Sequence, residues 1–594
     1  MHFAETYVWL TLFCCQLHDI IKKILEMGKA IMDRIVQSYI DDFLKSQQID
    51  ETDKCKQFEM FASYCAIAQQ YTEVFDLNDT LTGAGGDCGI DAIAIIVNGT
   101  MITSKEEVDD LIELNNGLSD MVFIFIQAKT SSNFSSGEMG TFGAGVVDFF
   151  SETPQFVRNQ FIREKSDLVN YIFSKAVHFK GNPSCYLYYV TTGKWVDDQN
   201  CLARKNIVIH DLEEMEIFRE VQFFPVDVSL IQKYYRNTID VIETEIDFSQ
   251  KILLPDIPKI NQSYLGYVDC NEYLKLIVGE NGEIRKNVFY DNVRDYQGEN
   301  EVNLEIAETI KSASDKFILL NNGVTIICKK LTNLRNKFTL TDYQIVNGCQ
   351  TSHVLYYNKE RVNDKLQIPI KLIETLDEDT VNSIIKATNR QTEVTNEQLI
   401  ALNEFHRNLE DFYKTFSGPQ KLYYERRSKQ YNYMTEVEKV RIVTISTQIK
   451  AAASMFFDKP HLASRYYGRL LKSVDGIFNK EHKPLPYYTC AYLLYRLEYL
   501  FRNKILPVQY RKFRYHILMV IKYDFSEGKV PELSANKMDA LCEKILECAN
   551  DNGLLQQETE KIIKMIDSHI SDINDTEATK LATLVEDLKA EVIN

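Results

Sequence analysis

Gly86-Asp87-Cys88-Gly89-Ile90-Asp91-Ala92 opens a branched apolar run, and a second run later closes on Ile126-Gln127-Ala128-Lys129. Ile90 to Val97 and Met121 to Ala128 have the composition of strands, and their separation suits a hairpin with a long polar excursion between them. An acid then begins one strand and a lysine ends its partner. Side chains alternate along a strand, so Gln127 and Lys129 share a face while Ala128 turns away. That spacing suits a metal site. Asp91 would hold a hard divalent cation, the Gln127 amide oxygen would complete the oxygen ligands, and Lys129 would position or deprotonate a water. An acid and a lysine at strand ends also occur in ordinary sheets; what sets this stretch apart is that glycines, acid, hairpin and Gln-x-Lys occur together.

Upstream, Ile31 to Phe43 repeats its apolar residues at helical spacing, and Met27 or Met32 is a candidate start. A second helix is expected from Lys54 to Tyr71, with Phe58, Phe61, Ala62, Cys65 and Ala66 as its buried stripe. Glu59 borders that stripe, either as an extra carboxylate for the metal or as a solvated helix acid. The glycines of Thr82 to Asp87 are not followed by Gly-Lys-Ser/Thr, so they read as a tight approach to the acid rather than a phosphate loop. Ser131 to Gly145 reads as a Ser/Gly-rich loop, a flap over a substrate or a surface loop, leading into a helix from Val146 to Phe150. A helix around Gln155 to Phe179 and a strand from Cys185 to Val190 complete an α/β domain.

At 594 residues the chain is too long for one core. Hydrophobic content of 45%, with 33 Tyr and 32 Phe, is that of a globular protein. The 13 Cys show no CxxC pair and no Cys/His cluster at zinc spacing, which fits a reducing, cytoplasmic setting. None of the ten His lies in a recognisable catalytic motif. The apolar stretch Val8 to Cys15 is too short to span a bilayer and no Lys or Arg precedes it, so neither an anchor nor a signal peptide is expected.

The amino-terminal pattern, Gly86-Asp87-x-Gly89-Ile90-Asp91-Ala92 with Gln127-x-Lys129 and the Phe58-Glu59 helix, resembles the PD-(D/E)xK nuclease superfamily and, within it, the Mrr-like restriction endonucleases. In those enzymes Gln can replace the usual Glu. The resemblance implies metal-dependent hydrolysis of DNA phosphodiesters, with Asp91, Gln127, Lys129 and Glu59 as the catalytic set. Asp91, Gln127 and Glu59 would hold Mg²⁺ (or Mn²⁺). A neutral Gln127 lowers the negative charge at the cation and loosens its hold.

Farther on, Asn292-Val293-Arg294-Asp295-Tyr296 precedes a helix through Val302 to Ser312, a strand Phe317 to Leu320, the turn Asn321-Asn322-Gly323 and the strand Val324 to Ile327. After a polar hairpin comes Val346-Asn347-Gly348-Cys349-Gln350-Thr351-Ser352. Asn-Gly is a strong turn signal, and both turns carry it. This series, with Ala387-Thr388-Asn389-Arg390-Gln391 and Leu422-Tyr423-Tyr424-Glu425-Arg426-Arg427, closely resembles the AIPR (abortive infection phage resistance) family over about residues 30 to 470. That likeness implies a bacterial defence role against phage or foreign DNA. A more distant likeness is to the nucleotide-binding domain of ParB-type partition proteins. The 347–352 turn, opening a helix, presents free N–H groups to a nucleotide or nucleic-acid phosphate, or else simply makes the turn and caps the helix.

A strand is expected at Ile207-Val208-Ile209, and Pro255 with Pro258 marks a linker end. The net charge is −18, yet residues 421 to 514 hold 19 Lys/Arg against 7 Asp/Glu, interleaved with Tyr423, Tyr424, Tyr431, Tyr433, Tyr466, Tyr467 and Phe513. That composition reads either as a nucleic-acid footprint or as amphipathic helices with core tyrosines. The acidic close, Leu533 to Asn594, reads as helices that pair with another subunit or pack on the domain.

The expected architecture is α/β (α+β multi-domain). It comprises a restriction-endonuclease-like mixed sheet flanked by helices over 28–245, a central α/β AIPR core over 255–420, and a basic then acidic helical region over 421–594. Asp91, Gln127, Lys129 and Glu59 are the catalytic candidates. Arg294, Asn347, Gly348, Gln350, Thr351, Arg426 and Arg427 are the nucleic-acid or nucleotide-binding candidates. The expected partners are DNA, a nucleotide or phage-derived trigger, and a second copy in a homodimer, with no membrane. The alternative is an inactive nuclease-like protein that binds nucleotide or nucleic acid as a regulatory module.

Overall fold

The computed structural model describes residues 33–593 apart from 84, 116, 240, 280, 281, 283, 286, 287, 290–300, 364, 389–403, 427–429, 432, 433, 435 and 475. Met27, Met32, the Asn292 to Tyr296 element with Arg294, the Asn389-Arg390-Gln391 triplet, Arg427 and Tyr433 lie outside the described residues.

Helix α1 (Arg34–Ser46) starts where the Asp33 carboxylate accepts from the N–H groups of Ile35 and Val36. Helix α2 (Lys54–Ile67) is capped by Asp53 in the same way and buries the expected stripe, Phe58, Phe61, Ala62, Cys65 and Ala66. Strand β1 (Ala92–Val97) is followed by the short β2 (Thr100–Met101), helix α3 (Lys105–Asn115) and strand β3 (Met121–Lys129). β1 and β3 are the expected antiparallel pair. The polar excursion between them is built as a small strand and a helix.

Helix α4 (Ser136–Phe150) occupies most of the stretch expected as a Ser/Gly loop. Gly143 is a packing position: a Cβ there would lie 2.1 Å from a Val208 methyl. Helix α5 (Gln160–Ser174), strand β4 (Ser184–Thr191), helix α6 (Gln199–Glu213), strand β5 (Glu220–Val226) and helix α7 (Val228–Ile239) complete the first unit. Ile207-Val208-Ile209, expected as a strand, lies inside α6, which begins at an Asp198 cap.

The sheet order is β2-β1-β3-β4-β5, with β3, β4 and β5 parallel. β1, β3 and β4 are apolar on both faces because both faces are covered. Ile93, Ile95, Phe123, Phe125 and Leu187 enter one core with α4 and α5, and Ala94, Ile124 and Tyr188 enter another with α1, α2 and α7.

The second sheet contains β6 (Glu243–Asp247), β7 (Gln250–Leu253) and β8 (Gln262–Asp269), followed by α8 (Cys270–Ile277), α9 (Glu301–Ser312) and the single turn α10 (Phe317–Leu320), where a strand is expected from the sequence. Strands β9 (Val324–Leu334) and β10 (Lys337–Asn347), helix α11 (Cys349–Tyr357), strand β11 (Gln367–Glu374) and helix α12 (Glu378–Thr388) follow. The order is β6-β10-β9-β11-β8-β7. This sheet starts at residue 243, ahead of the boundary expected at 255, so Pro255 and Pro258 lie in the β7–β8 connection.

The last unit is helical: α13 (Glu404–Lys414), the paired strands β12 (Tyr423–Glu425) and β13 (Ile442–Thr444), α14 (Ile445–Phe456), α15 (Tyr467–Ser473), α16 (Pro484–Arg502), α17 (Arg514–Phe525), α18 (Asn536–Asn550), α19 (Asn552–His569) and α20 (Ala582–Ile593). Ile562, Ile563 and Ile566 are buried in this unit's own core, with Ile570 against it. Among the described residues no helix is long and apolar enough to cross a membrane.

Candidate active site

Asp91 stands one residue ahead of β1, and the register pairing Ala92 with Ile126 sets it opposite Gln127. Its N–H donates to Ile126 O at 2.8 Å, and its Oδ2 accepts from the Ala128 N–H at 2.7 Å. Alternation from Ile93 and Phe125 carries Asp91, Gln127 and Lys129 to one face at one end of the sheet.

The loop that delivers Asp91 is held on several sides. Thr82 Oγ1 donates to Ile90 O at 2.6 Å, and Asp87 Oδ1 accepts from the Gly89 N–H at 2.9 Å. Gly89 has φ +73°, and a Cβ there would lie 3.3 Å from Gln127 Nε2. Helix α4 presses on the loop through Gly145, whose added Cβ would stand 1.9 Å from the Cys88 carbonyl.

Gln127 is 4% exposed, and its Oε1 has no hydrogen-bond partner among the described residues. A buried amide oxygen left unpaired costs about 1–3 kcal/mol unless something else accepts it. A cation bound beside Asp91 would do so.

Glu59 comes from α2, which covers the opposite face of the sheet, yet its carboxylate senses Asp91, Lys56, Lys129 and Asp87. Its pKa is pushed up to about 7, first by burial and then by the negative charge of Asp91. Burial also raises Asp91, against the Ala128 N–H and Lys129, with Asp87 adding to the rise. Two half-buried carboxyls, both shifted upward by burial, stand with an orphaned amide oxygen, and as carboxylates they would offer the hard oxygen donors that Mg²⁺ or Mn²⁺ takes. Among the described residues no group of three or more His, Cys, Asp or Glu is arranged for a metal; this set has two carboxylates and one amide.

Three features at this end escaped the sequence reading. Asp87, four residues before Asp91, adds a carboxylate that both Glu59 and Asp91 feel. Tyr189, opposite Gln127 on β4, donates its phenol to Glu138 at 3.0 Å. The loop around Val157 lies against Gly86. The spacing Asp87-x-x-x-Asp91 was visible; the other two needed the sheet register and the loop path.

The 347–352 turn is a strand-turn-helix as expected. Gly348 is left-handed at φ +104°, and a Cβ would strike Val324 at 2.8 Å. The flanking side chains are engaged internally. Asn347 donates to Thr388 O at 2.7 Å, Gln350 accepts from Asn303 at 2.9 Å, and the buried Thr351 accepts from Asn321 at 3.1 Å.

Several bases of the 421–514 segment are paired. Arg426 is 6% exposed and ion-paired to Glu410 at 3.0 Å. Lys450 pairs with Glu107, Arg465 with Asp110 and Arg469 with Glu113, all on α3 of the first unit. Arg511 is shared by Asp76, Asp79 and Glu498. Tyr424, Tyr431, Tyr466 and Phe513 are buried. Lys450, Arg465, Arg469 and Arg511 join the helical unit to the first sheet's unit, and those rings are core.

The AIPR protein family matches residues 289–574, a span that begins after β8 of the second sheet and ends before α20 of the helical unit. The match supports the AIPR family for this part of the chain; it starts later and ends later than the 30–470 expected. No curated protein and no solved structure matches the chain.

Proposed function

We propose that the chain is a divalent-metal-dependent endodeoxyribonuclease acting in antiphage defence, with its AIPR portion as the sensing or recognition part. The observation that carries the catalytic half is the buried, unpartnered Gln127 Oε1 set opposite Asp91 at a sheet end where Glu59 also reaches. The defence role is what the AIPR match suggests.

In this reading Asp91, Gln127 and Glu59 hold Mg²⁺ or Mn²⁺. The bound ion supplies Lewis acidity toward the phosphate and a lowered water pKa. The Ala128 N–H fixes Asp91 through Oδ2. Lys129, on the same face as Gln127, orients the attacking water and offsets charge developing on the phosphate. Gly89 keeps the Gln127 amide from being displaced by a side chain.

The test incubates purified protein with plasmid, linear phage DNA and RNA in Mg²⁺, using the wild type and Lys129→Ala. Cleavage of DNA by the wild type and its loss in the variant support the reading; equal activity in the two removes Lys129 from the mechanism. Metal binding with no cleavage of any substrate would favour the regulatory binding alternative, which the neutral Gln127 keeps in view.

A further inference from the structure

Beside the candidate centre the chain holds two large apolar side chains out in solvent. Phe156 is 43% exposed and Val157 is 84% exposed, in the connection between α4 and α5. The connection is tethered along its length. Asp148 Oδ1 accepts from the Gln155 N–H at 2.6 Å and the Phe156 N–H at 3.3 Å, and Arg158 donates to both the Asp148 carbonyl and its carboxylate. Asn159 donates its N–H to Gly86 O at 2.7 Å and its Nδ2 to Thr82 O at 3.0 Å and Gly85 O at 3.2 Å. The Cys88 thiol donates to Val157 O at 3.6 Å.

These bonds fasten the tip to the very loop that carries Asp87 and Asp91. A connection with this many anchors has a defined shape, so the exposure of its two apolar side chains is a property of the fold rather than of fraying. Arg163, exposed one turn into α5, reaches back to the connection, its Nε donating to Arg158 O at 3.0 Å, and adds a cation there. An apolar tip with a neighbouring arginine matches the chemistry of a nucleic acid, whose bases take ring and aliphatic contacts and whose phosphates take the guanidinium.

We propose that the Phe156-Val157 tip is a base-contacting wedge that seats a DNA duplex whose scissile phosphate lies at Asp91 and Lys129. This rests on the nuclease reading of that centre. Phe156 stacks on or wedges against a base step, Val157 fills the groove beside it, and Arg163 contacts the adjoining phosphate.

The experiment compares the wild type with the double variant Phe156→Ser/Val157→Ser. Affinity for a fluorescein-labelled duplex is read by anisotropy in EDTA, cleavage of the same duplex is read in Mg²⁺, and thermal unfolding is recorded for each protein. The expected result is an affinity loss of about tenfold or more, the size of one base contact. KM should rise in step, kcat should stay within about twofold, the unfolding midpoint should not change, and the apolar-preserving Phe156→Leu/Val157→Ile should recover most of the affinity. Unchanged affinity in the serine variant, with a wild type that cleaves, overturns the wedge and leaves the nuclease reading standing. A loss that follows a lowered unfolding midpoint and is not recovered by the apolar pair also overturns it, in favour of a structural role. A wild type that neither binds nor cleaves DNA fails at the nuclease reading itself and takes the wedge with it.

Discussion

Raising the pH through neutrality should load the candidate site with metal, and Glu59 sets the midpoint. Its carboxyl is lifted from an ordinary 4.5 to about 7 by burial and by the charge of Asp91. A protonated carboxyl cannot ligate, so a cation arriving below that value must displace one proton. Apparent affinity then rises about tenfold per pH unit below 7 and levels off above it, which makes roughly a tenfold difference between pH 6 and pH 8. Calorimetric titration with Mn²⁺, in buffers of different ionisation enthalpy, reads both the affinity and the proton count. Close to one proton should be released at pH 6 and almost none at pH 8, and Glu59→Gln should abolish the step centred near 7. The sign for the metal-free fold is opposite: Glu59's contribution to stability is complete below about 4.5 and is lost as pH rises through about 7. Wild-type affinity that is the same at pH 6 and pH 8, or a Glu59→Gln protein with the full slope, would refute the coupling.

Gly145→Ala should destabilise by about 1–3 kcal/mol in urea unfolding, because its Cβ would meet the Cys88 backbone carbonyl rather than a side chain that can swing aside. It should also depress catalysis, since the displaced loop carries Asp91. Arg511→Ala strands Asp76 and Asp79 at the junction of the first and last units, while Glu498 keeps Arg514 at 2.9 Å, and should cost about 3–5 kcal/mol, read as a lower and less cooperative unfolding transition. Arg511 and Arg514 outweigh burial and hold Asp79 down at about 2, so Asp79's share of stability is present above 3.8 and lost as pH falls through about 2. Arg426→Ala should lower the unfolding midpoint while leaving DNA affinity within about twofold, because its charge faces Glu410 and not solvent.

Alternation and turn chemistry made much of the site legible in advance. Asp91, Gln127 and Lys129 fall on one face because the side-chain period of a strand is two, and the β1–β3 register follows from burying Ile93, Ile95, Phe123 and Phe125 together. Local composition misled where packing overrode propensity. The Ser131 to Gly145 stretch reads as loop because glycine is a poor helix former, yet Gly143 and Gly145 are what allow α4 to lie against Val208 and Cys88. Ile207-Val208-Ile209 has strand-like branching, but the Asp198 cap starts a helix that runs through it. Phe317 to Leu320 is apolar enough for a strand and too short to declare itself.

In the basic segment, pairing was hidden for a different reason. A count of 19 bases against 7 acids is a statement about neighbours in sequence, whereas the carboxylates that answer them, Asp76, Asp79, Glu107, Asp110 and Glu113, lie more than three hundred residues earlier. No local pattern carries that pairing. Glu59 marks the intermediate case: its helix was expected, but its approach to Asp91 from the other side of the sheet is a property of how α2 packs.

One consequence is that the candidate centre and the AIPR-matched helices are mechanically joined, through α3 and through Arg511, so events in residues 289–574 have a physical route to the first sheet. The proposed nuclease activity rests first on Asp91. Single-turnover cleavage of a duplex in Mg²⁺ should be measured for the wild type and for Asp91→Asn, with matched unfolding midpoints. Cleavage by the wild type, abolished by EDTA and reduced at least a hundredfold in Asp91→Asn, is the predicted result. Cleavage that persists in Asp91→Asn or in EDTA would contradict it.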